Sequence, residues 1–194
     1  STTLGAAQFG TLAPGSRHSY SFEIAETGLI AIDSLMSTPL RYSLEGPSGR
    51  LVDARTLQSA STYSDTQFLA AGSYVLTILG NGLDNGEYGF RLVAAPAVAS
   101  VKAGDALEGQ ITQQGGTQLH RIDLSDGETL TVSTVNRSGG GGGYFSLLAA
   151  DGRVLTRQIL NSTFGPVTAI GPTHYYMMVD AVYATATLDY TLLP

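Results

Sequence analysis

The sequence predicts an all-β chain made of two tandem antiparallel β-sandwiches joined by a short linker. Three observations predict it. Apolar and polar residues alternate with a period of two, clusters of Gly, Pro, Asn, Asp and Ser separate the alternating runs, and the order of runs repeats once at a shift of roughly one domain length. Phe9-Gly10-Thr11-Leu12 opens the first copy, Pro14-Gly15 turns the chain, and Tyr20, Phe22 and Ile24 then share one face while Ser19, Ser21 and Glu23 share the other. In the second copy Glu108-Gly109-Gln110-Ile111 precedes Gly115-Gly116 and His120-Arg121-Ile122-Asp123-Leu124. The matching continues with Gly28-Leu29-Ile30-Ala31-Ile32 against Gly127-Glu128-Thr129-Leu130-Thr131-Val132, and Tyr42-Ser43-Leu44 against Phe145-Ser146-Leu147. It ends with Tyr74-Val75-Leu76-Thr77-Ile78 against Tyr175-Tyr176-Met177-Met178-Val179, and Tyr88-Gly89-Phe90-Arg91-Leu92 against Leu188-Asp189-Tyr190-Thr191-Leu192.

These matches set the domains at 1–95 and 101–194. The segment Ala94 to Val101 between them is small-residue and Pro-punctuated, too short and apolar to act as a freely swinging tether. Gly46-Pro47-Ser48-Gly49 and Ala150-Asp151-Gly152 have the composition of hairpin turns. Tyr20, Phe22, Ile32, Leu44, Tyr74, Leu76 and Phe90 are the expected core of the first copy. Two sheets packed face to face, apolar inside and solvated outside, satisfy this alternation.

Composition narrows the function. At 194 residues, 43% hydrophobic and 13% charged, the chain is too apolar for disorder, and 24 Gly make a helical bundle a poor fit. The net charge of −6, with Lys102 the sole lysine, leaves no basic stripe for nucleic acid. Absence of Cys removes disulfides, thiol catalysis and Cys-bound metals. No run approaches the ~20 apolar residues of a transmembrane segment. The opening Ser1-Thr2-Thr3, without Met, reads as a mature product or a piece of a larger protein.

The order Gly10-x-Leu12, Gly15, Tyr20-x-Phe22, Gly28-x-Ile30-x-Ile32, Leu44-x-Gly46-Pro47-x-Gly49, Leu69-Ala70-Ala71-Gly72-Ser73-Tyr74-Val75-Leu76 and Gly86-Glu87-Tyr88-Gly89-Phe90 resembles the bacterial pre-peptidase C-terminal domain. The second copy follows it more loosely, with Thr173-His174-Tyr175 for Gly72-Ser73-Tyr74. The resemblance implies jelly-roll-like sandwiches and an accessory module of secreted or cell-surface bacterial proteins, either appended to peptidases or repeated in adhesin-like chains. It also implies neighbouring domains of a larger exported protein as partners, with an extracellular polymer or protein as ligand. Some relatives bind collagen, chitin-like polymers or Ca²⁺.

No catalytic constellation is legible, and the chain is expected not to be an enzyme. There is no Gly-x-Ser-x-Gly elbow and no His-Glu-x-x-His. His18 precedes the Tyr20 run, His120 takes the Tyr20 position and His174 the Ser73 position, so no His recurs at one position in both copies. No cofactor is required. Calcium is the ion the residues could serve, through Asp84, Asn85 and Glu87 in the loop Asn81 to Glu87, although Asp-Asn-Gly is equally a tight turn, the preferred reading. Asp105 and Glu108 form a second acidic group. The pentaglycine Gly139 to Gly143 lacks the residues of a phosphate loop and is expected as a hairpin tip. Tyr176 and Met178 fall on the outer face of their strand, either as a contact surface for a partner or as groups that neighbouring side chains cover. Two functions fit: a non-catalytic spacer or adhesion module, or a carbohydrate- or fibrous-protein-binding pair attached to an exported hydrolase. The lack of Trp, the usual sugar platform, favours the first.

Overall fold

The computed structural model describes residues 1–57, 65–80, 82, 84–102, 104–112, 116–139, 142–182 and 187–194. Among these, every regular element is a strand: β1 (Gln8–Leu12), β2 (Arg17–Ile24), β3 (Gly28–Ser34), β4 (Arg41–Gly46), β5 (Gly49–Thr56), β6 (Asp65–Leu69), β7 (Gly72–Leu79), β8 (Gly86–Ala94), β9 (Val101–Lys102), β10 (Leu107–Ile111), β11 (Thr117–Leu124), β12 (Thr129–Gly139), β13 (Gly142–Ala149), β14 (Val154–Ile159), β15 (Thr163–Thr168), β16 (Thr173–Val182) and β17 (Leu188–Leu193). No helix among the described residues is long and apolar enough to cross a membrane.

The chain divides into two compact units, Ser1–Ala94 and Ala95–Pro194. In the first, one sheet has the order β1-β8-β3-β6 and the other β2-β7-β4-β5. The second repeats this order as β10-β17-β12-β15 and β14-β13-β16-β11, with β9 added beyond β11. Within each unit, every connection but the β4–β5 or β13–β14 hairpin crosses from one sheet to the other, which is the strand order of a jelly roll. The fold is therefore an all-β sandwich of jelly-roll type.

Alternation along the strands produces the two cores. Phe22, Ile24, Ile32, Leu44, Tyr74, Leu76, Ile78, Tyr88, Phe90 and Leu92 meet in the first, and Ile122, Leu124, Val132, Phe145, Leu147, Met177, Val179, Leu188, Tyr190 and Leu192 in the second. Of the residues expected inside, Tyr20 alone is only half-buried; its ring meets Phe90 edge-on, with centroids 5.0 Å apart. The stretch expected as a linker belongs to the second unit from Ala95 onward. Ser100 N–H donates to the Arg121 carbonyl (2.8 Å), Arg121 N–H donates to Ser100 Oγ (3.1 Å), and β9 pairs in parallel with β11. A tether with unsatisfied backbone groups gains these bonds by lying along a strand edge.

Several glycines in the motifs exist to make room. A Cβ on Gly46 would lie 2.3 Å from the Tyr74 ring, and one on Gly72 would lie 2.7 Å from Pro47. Tyr74 can then lie flat and donate its hydroxyl hydrogen to the Ala70 carbonyl (2.8 Å). The pentaglycine is not a hairpin tip. Gly139 ends β12 in one sheet, Gly142 begins β13 in the other, and Gly140 and Gly141 lie outside the described residues. A Cβ on Gly139 (φ 97°) would sit 1.9 Å from the Thr187 carbonyl oxygen, and one on Gly143 would sit 2.4 Å from Leu160. Close packing against backbone, with left-handed φ at Gly139, explains these glycines better than a need for a mobile tip. Gly139→Ala is expected to cost at least about 2 kcal/mol in urea denaturation, because backbone strain and a backbone clash add. Gly15→Ala, also at positive φ but with no atom within 4 Å, should cost only the roughly 1 kcal/mol of strain.

Candidate functional site

The polar side chains that the fold brings together lie between the sheets of each unit. Register fixes the equivalence. Gly10 pairs with Tyr88 and Gly109 with Tyr190, so Tyr88 corresponds to Tyr190 and not to Leu188, as block matching of the sequence suggests. On the opposing sheet, Tyr20 pairs with Leu76 and His120 with Met177, which confirms that position 120 is the counterpart of 20 and makes Gln118 the counterpart of His18.

Each unit thus carries the same polar triad. In the first, the Tyr88 hydroxyl contacts His18 Nδ1 at 2.5 Å and the Tyr20 hydroxyl at 2.6 Å. In the second, the Tyr190 hydroxyl donates to Gln118 Oε1 at 2.5 Å and lies 2.7 Å from His120 Nε2. The phenol has one hydrogen and gives it to Gln118, so His120 is the tautomer that donates Nε2–H to the phenol oxygen. Gln118 Nε2–H donates in turn to the Gln110 carbonyl (2.7 Å), which fixes the amide orientation. Glycine on the edge strand leaves space for each phenol: a Cβ on Gly10 would lie 2.5 Å from the Tyr88 oxygen, and one on Gly109 would lie 2.2 Å from that of Tyr190.

Burial shifts the titrations as a low-dielectric interior must. Desolvation raises both phenols, and at Tyr88 the hydrogen bond with Tyr20 adds to it. Desolvation pushes His120 down to about 4. Held neutral in this way, His120 donates to the Tyr190 phenol and orients it.

A further polar group bridges the sheets at another edge of the first unit. Tyr42 on β4 donates to Asp65 on β6, and Arg55 Nη1 donates to both Asp65 oxygens at 2.6 and 2.7 Å. Burial and the Asp65 charge raise the Tyr42 phenol. Asp33 and Arg91 pair at 2.8 Å, and Asp180 accepts from the Thr117 hydroxyl at 2.7 Å.

The residues singled out from sequence are dispersed. Asp84 is half-buried with its backbone carbonyl packed against Gly80, Asn85 is exposed, and Glu87 stands exposed on β8 opposite Thr11. Asn81 and Leu83 of that loop, and residues 183–186 of its counterpart, lie outside the described residues. Among the described residues, no three of His, Cys, Asp and Glu gather as a metal site. Asp105 N–H donates to the Lys102 carbonyl (3.1 Å), and Glu108 pairs with Thr191 on β17. Tyr176 and Met178 do alternate away from the core cluster, but they do not face solvent: they are 4% and 1% exposed. His174 stands edge-on to Tyr176, with centroids 5.1 Å apart, and is pushed down by desolvation and by the Arg121 charge.

No protein-family model and no curated protein matches the chain. Similar solved structures include the full extracellular region of zebrafish Gpr126/Adgrg6, at 8% identity over 98% of this chain and 35% of that one, with a TM-score of 0.29. A structure of the triple jelly roll fold and turret assembly in an archaeal virus is 12% identical over 99% of this chain and 59% of that one, TM-score 0.27. A cupin 2 conserved barrel domain protein from Leptotrichia buccalis is 13% identical over 99% and 90%, TM-score 0.23. The chain spans less than two thirds of the length of the first two. Its assignment to the jelly-roll class rests on its own strand order.

The His120 environment makes stability depend on pH. The imidazole titrates near 6.5 when unfolded and about 4 when folded. A depressed histidine pKa means that the neutral form is the one the fold favours, so its contribution is complete above about pH 6.5 and is lost as pH falls toward 4, on the order of 3 kcal/mol in all. His120→Tyr, which places the first unit's residue in the second, is expected to remove this part of the acid sensitivity. Comparing denaturation of the variant and the parent chain at pH 7.5 and pH 4, in arbitrary steps between, reads the difference directly.

Proposed function

We propose that the chain is a non-catalytic spacer or adhesion module of a secreted or cell-surface bacterial protein, with neighbouring domains of a larger exported protein as its immediate partners. The observation that carries this reading is the repeated triad. In both units, the polar side chains between the sheets form hydrogen bonds that hold the two sheets to one another, and His18 and His120 are spent on Tyr88 and Tyr190. A module of this kind supplies a stiff, repeatable body and leaves chemistry to whatever it is attached to. The resemblance to the pre-peptidase C-terminal domain supports the exported, bacterial setting. No cofactor is required on this reading, and Asp84 and Asn85 serve to lead the chain into β8, where Gly86 and Glu87 pair with β1.

The test is an activity and retention screen on the 194-residue chain. The chain is incubated with peptide, ester and glycoside substrates, passed over immobilised collagen, cellulose and chitin, and melted with millimolar Ca²⁺ or EDTA. The expected result is no turnover, no retention and melting temperatures within a few degrees of each other, since an extracellular-type site at tenfold excess over its Kd would add only about 1.4 kcal/mol. Turnover abolished by His18→Ala or His120→Ala would contradict the proposal, and specific retention would favour the polymer-binding alternative.

A further inference from the structure

The outer face at the β1 edge of the first unit carries an open cleft of about 320 Å³, lined by Phe9, Gly10, Thr11, Met36, Glu87 and Tyr88. Phe9 is 63% exposed although it is a large aromatic, and its ring lies over Gly89, where a Cβ would come within 2.6 Å of it. That glycine lets the ring lie against the sheet and present its other face outward. Two positions along β1, Thr11 pairs with Glu87 on the neighbouring strand, so the carboxylate shares the cleft with the ring. Glu87 makes no side-chain hydrogen bond or ion pair among the described residues.

The second unit shows how the same register looks when it is closed. Glu108 replaces the aromatic ring, and the pair corresponding to Thr11 and Glu87 is Gln110 and Asp189. There Gln110 Nε2–H donates to Asp189 Oδ1 (2.7 Å) and the Ser138 hydroxyl donates to Asp189 Oδ2 (3.2 Å), so the acid is answered within the unit. In the first unit the aromatic face and the carboxylate are both left for something else.

We propose that this cleft receives an arginine side chain of a partner protein. A guanidinium satisfies both features together: it stacks on an aromatic face and donates two parallel hydrogen bonds to a carboxylate. Its methylene stem is suited to the thioether of Met36. A neutral sugar could stack on Phe9 but would leave the Glu87 charge unanswered. The net charge of −6 favours encounter with a basic partner. The site goes beyond the spacer or adhesion reading and stands on the geometry of the first unit alone, so its failure leaves that reading intact.

The experiment titrates the full chain with N-acetyl-arginine-N-methylamide and with its uncharged citrulline analogue, following backbone amides and the Phe9 ring by NMR. Binding of the arginine compound with a Kd on the order of millimolar is expected, with shifts confined to residues 9–11, 36 and 87–89. Glu87→Gln, at an exposed carboxylate with no side-chain partner among the described residues, should weaken binding about threefold or more without changing the fold, and Phe9→Leu should do likewise. Equal affinity for the citrulline compound, unchanged affinity in both variants, shifts centred elsewhere, or no saturable binding would each overturn the proposal.

Discussion

The hydrogen bonds that join β8 to β2 in the first unit and β17 to β11 in the second constrain the rest of the structure. Burial of apolar side chains between two sheets is non-directional, whereas a hydrogen bond has a preferred direction and length. A phenol that must meet two partners on the opposing sheet fixes the offset between the sheets. Tyr88 does this for the first unit with Tyr20 and His18, and Tyr190 does it for the second with His120 and Gln118. Neither phenol can be left unbonded cheaply, because a buried hydroxyl without a partner costs about 1–3 kcal/mol.

Much of the surrounding sequence follows from accommodating those tyrosines. The edge strand that passes each phenol needs glycine, hence Gly10 and Gly109. The partners at alternate positions of β2 and β11 are polar although they face the interior, so these strands break their own apolar pattern at the same place in both copies. The partner chemistry itself varies. A tyrosine and a histidine in one unit become a histidine and a glutamine in the other, and only the central tyrosine and its glycine persist. That is the pattern expected when geometry is the requirement and several donor–acceptor pairs can meet it.

The repeat, the strand alternation, the hairpins at Gly46–Gly49 and Ala149–Val154 and most of the first core were legible in the sequence, because a period of two and turn residues are local signals. The triads were not, since they join strands 70 or so positions apart and depend on register. Block matching aligned Tyr88 with Leu188 because both open an alternating run; only pairing with the edge glycine shows that Tyr190 is the counterpart. A signal was available in the shared Gly10 and Gly109, each obliged to face a bulky partner. The pentaglycine misled for a related reason: a run of glycines reads as flexibility, whereas Gly139 and Gly143 answer to the backbone of Thr187 and the side chain of Leu160. Outer-face positions such as Tyr176 and Met178 cannot be judged exposed from alternation alone, which reports direction along a strand and not what lies beyond it.

The most direct test of the tyrosine-centred account removes one atom at a time. Tyr88→Phe and Tyr190→Phe each delete a hydroxyl while keeping the ring, and chemical denaturation of the full chain, with amide exchange assigning each transition to its unit, measures the cost. The account predicts a loss of about 1–3 kcal/mol for each, confined to the unit that carries the substitution. A loss within about 0.5 kcal/mol of zero for both, the size of an ordinary surface change, would contradict it.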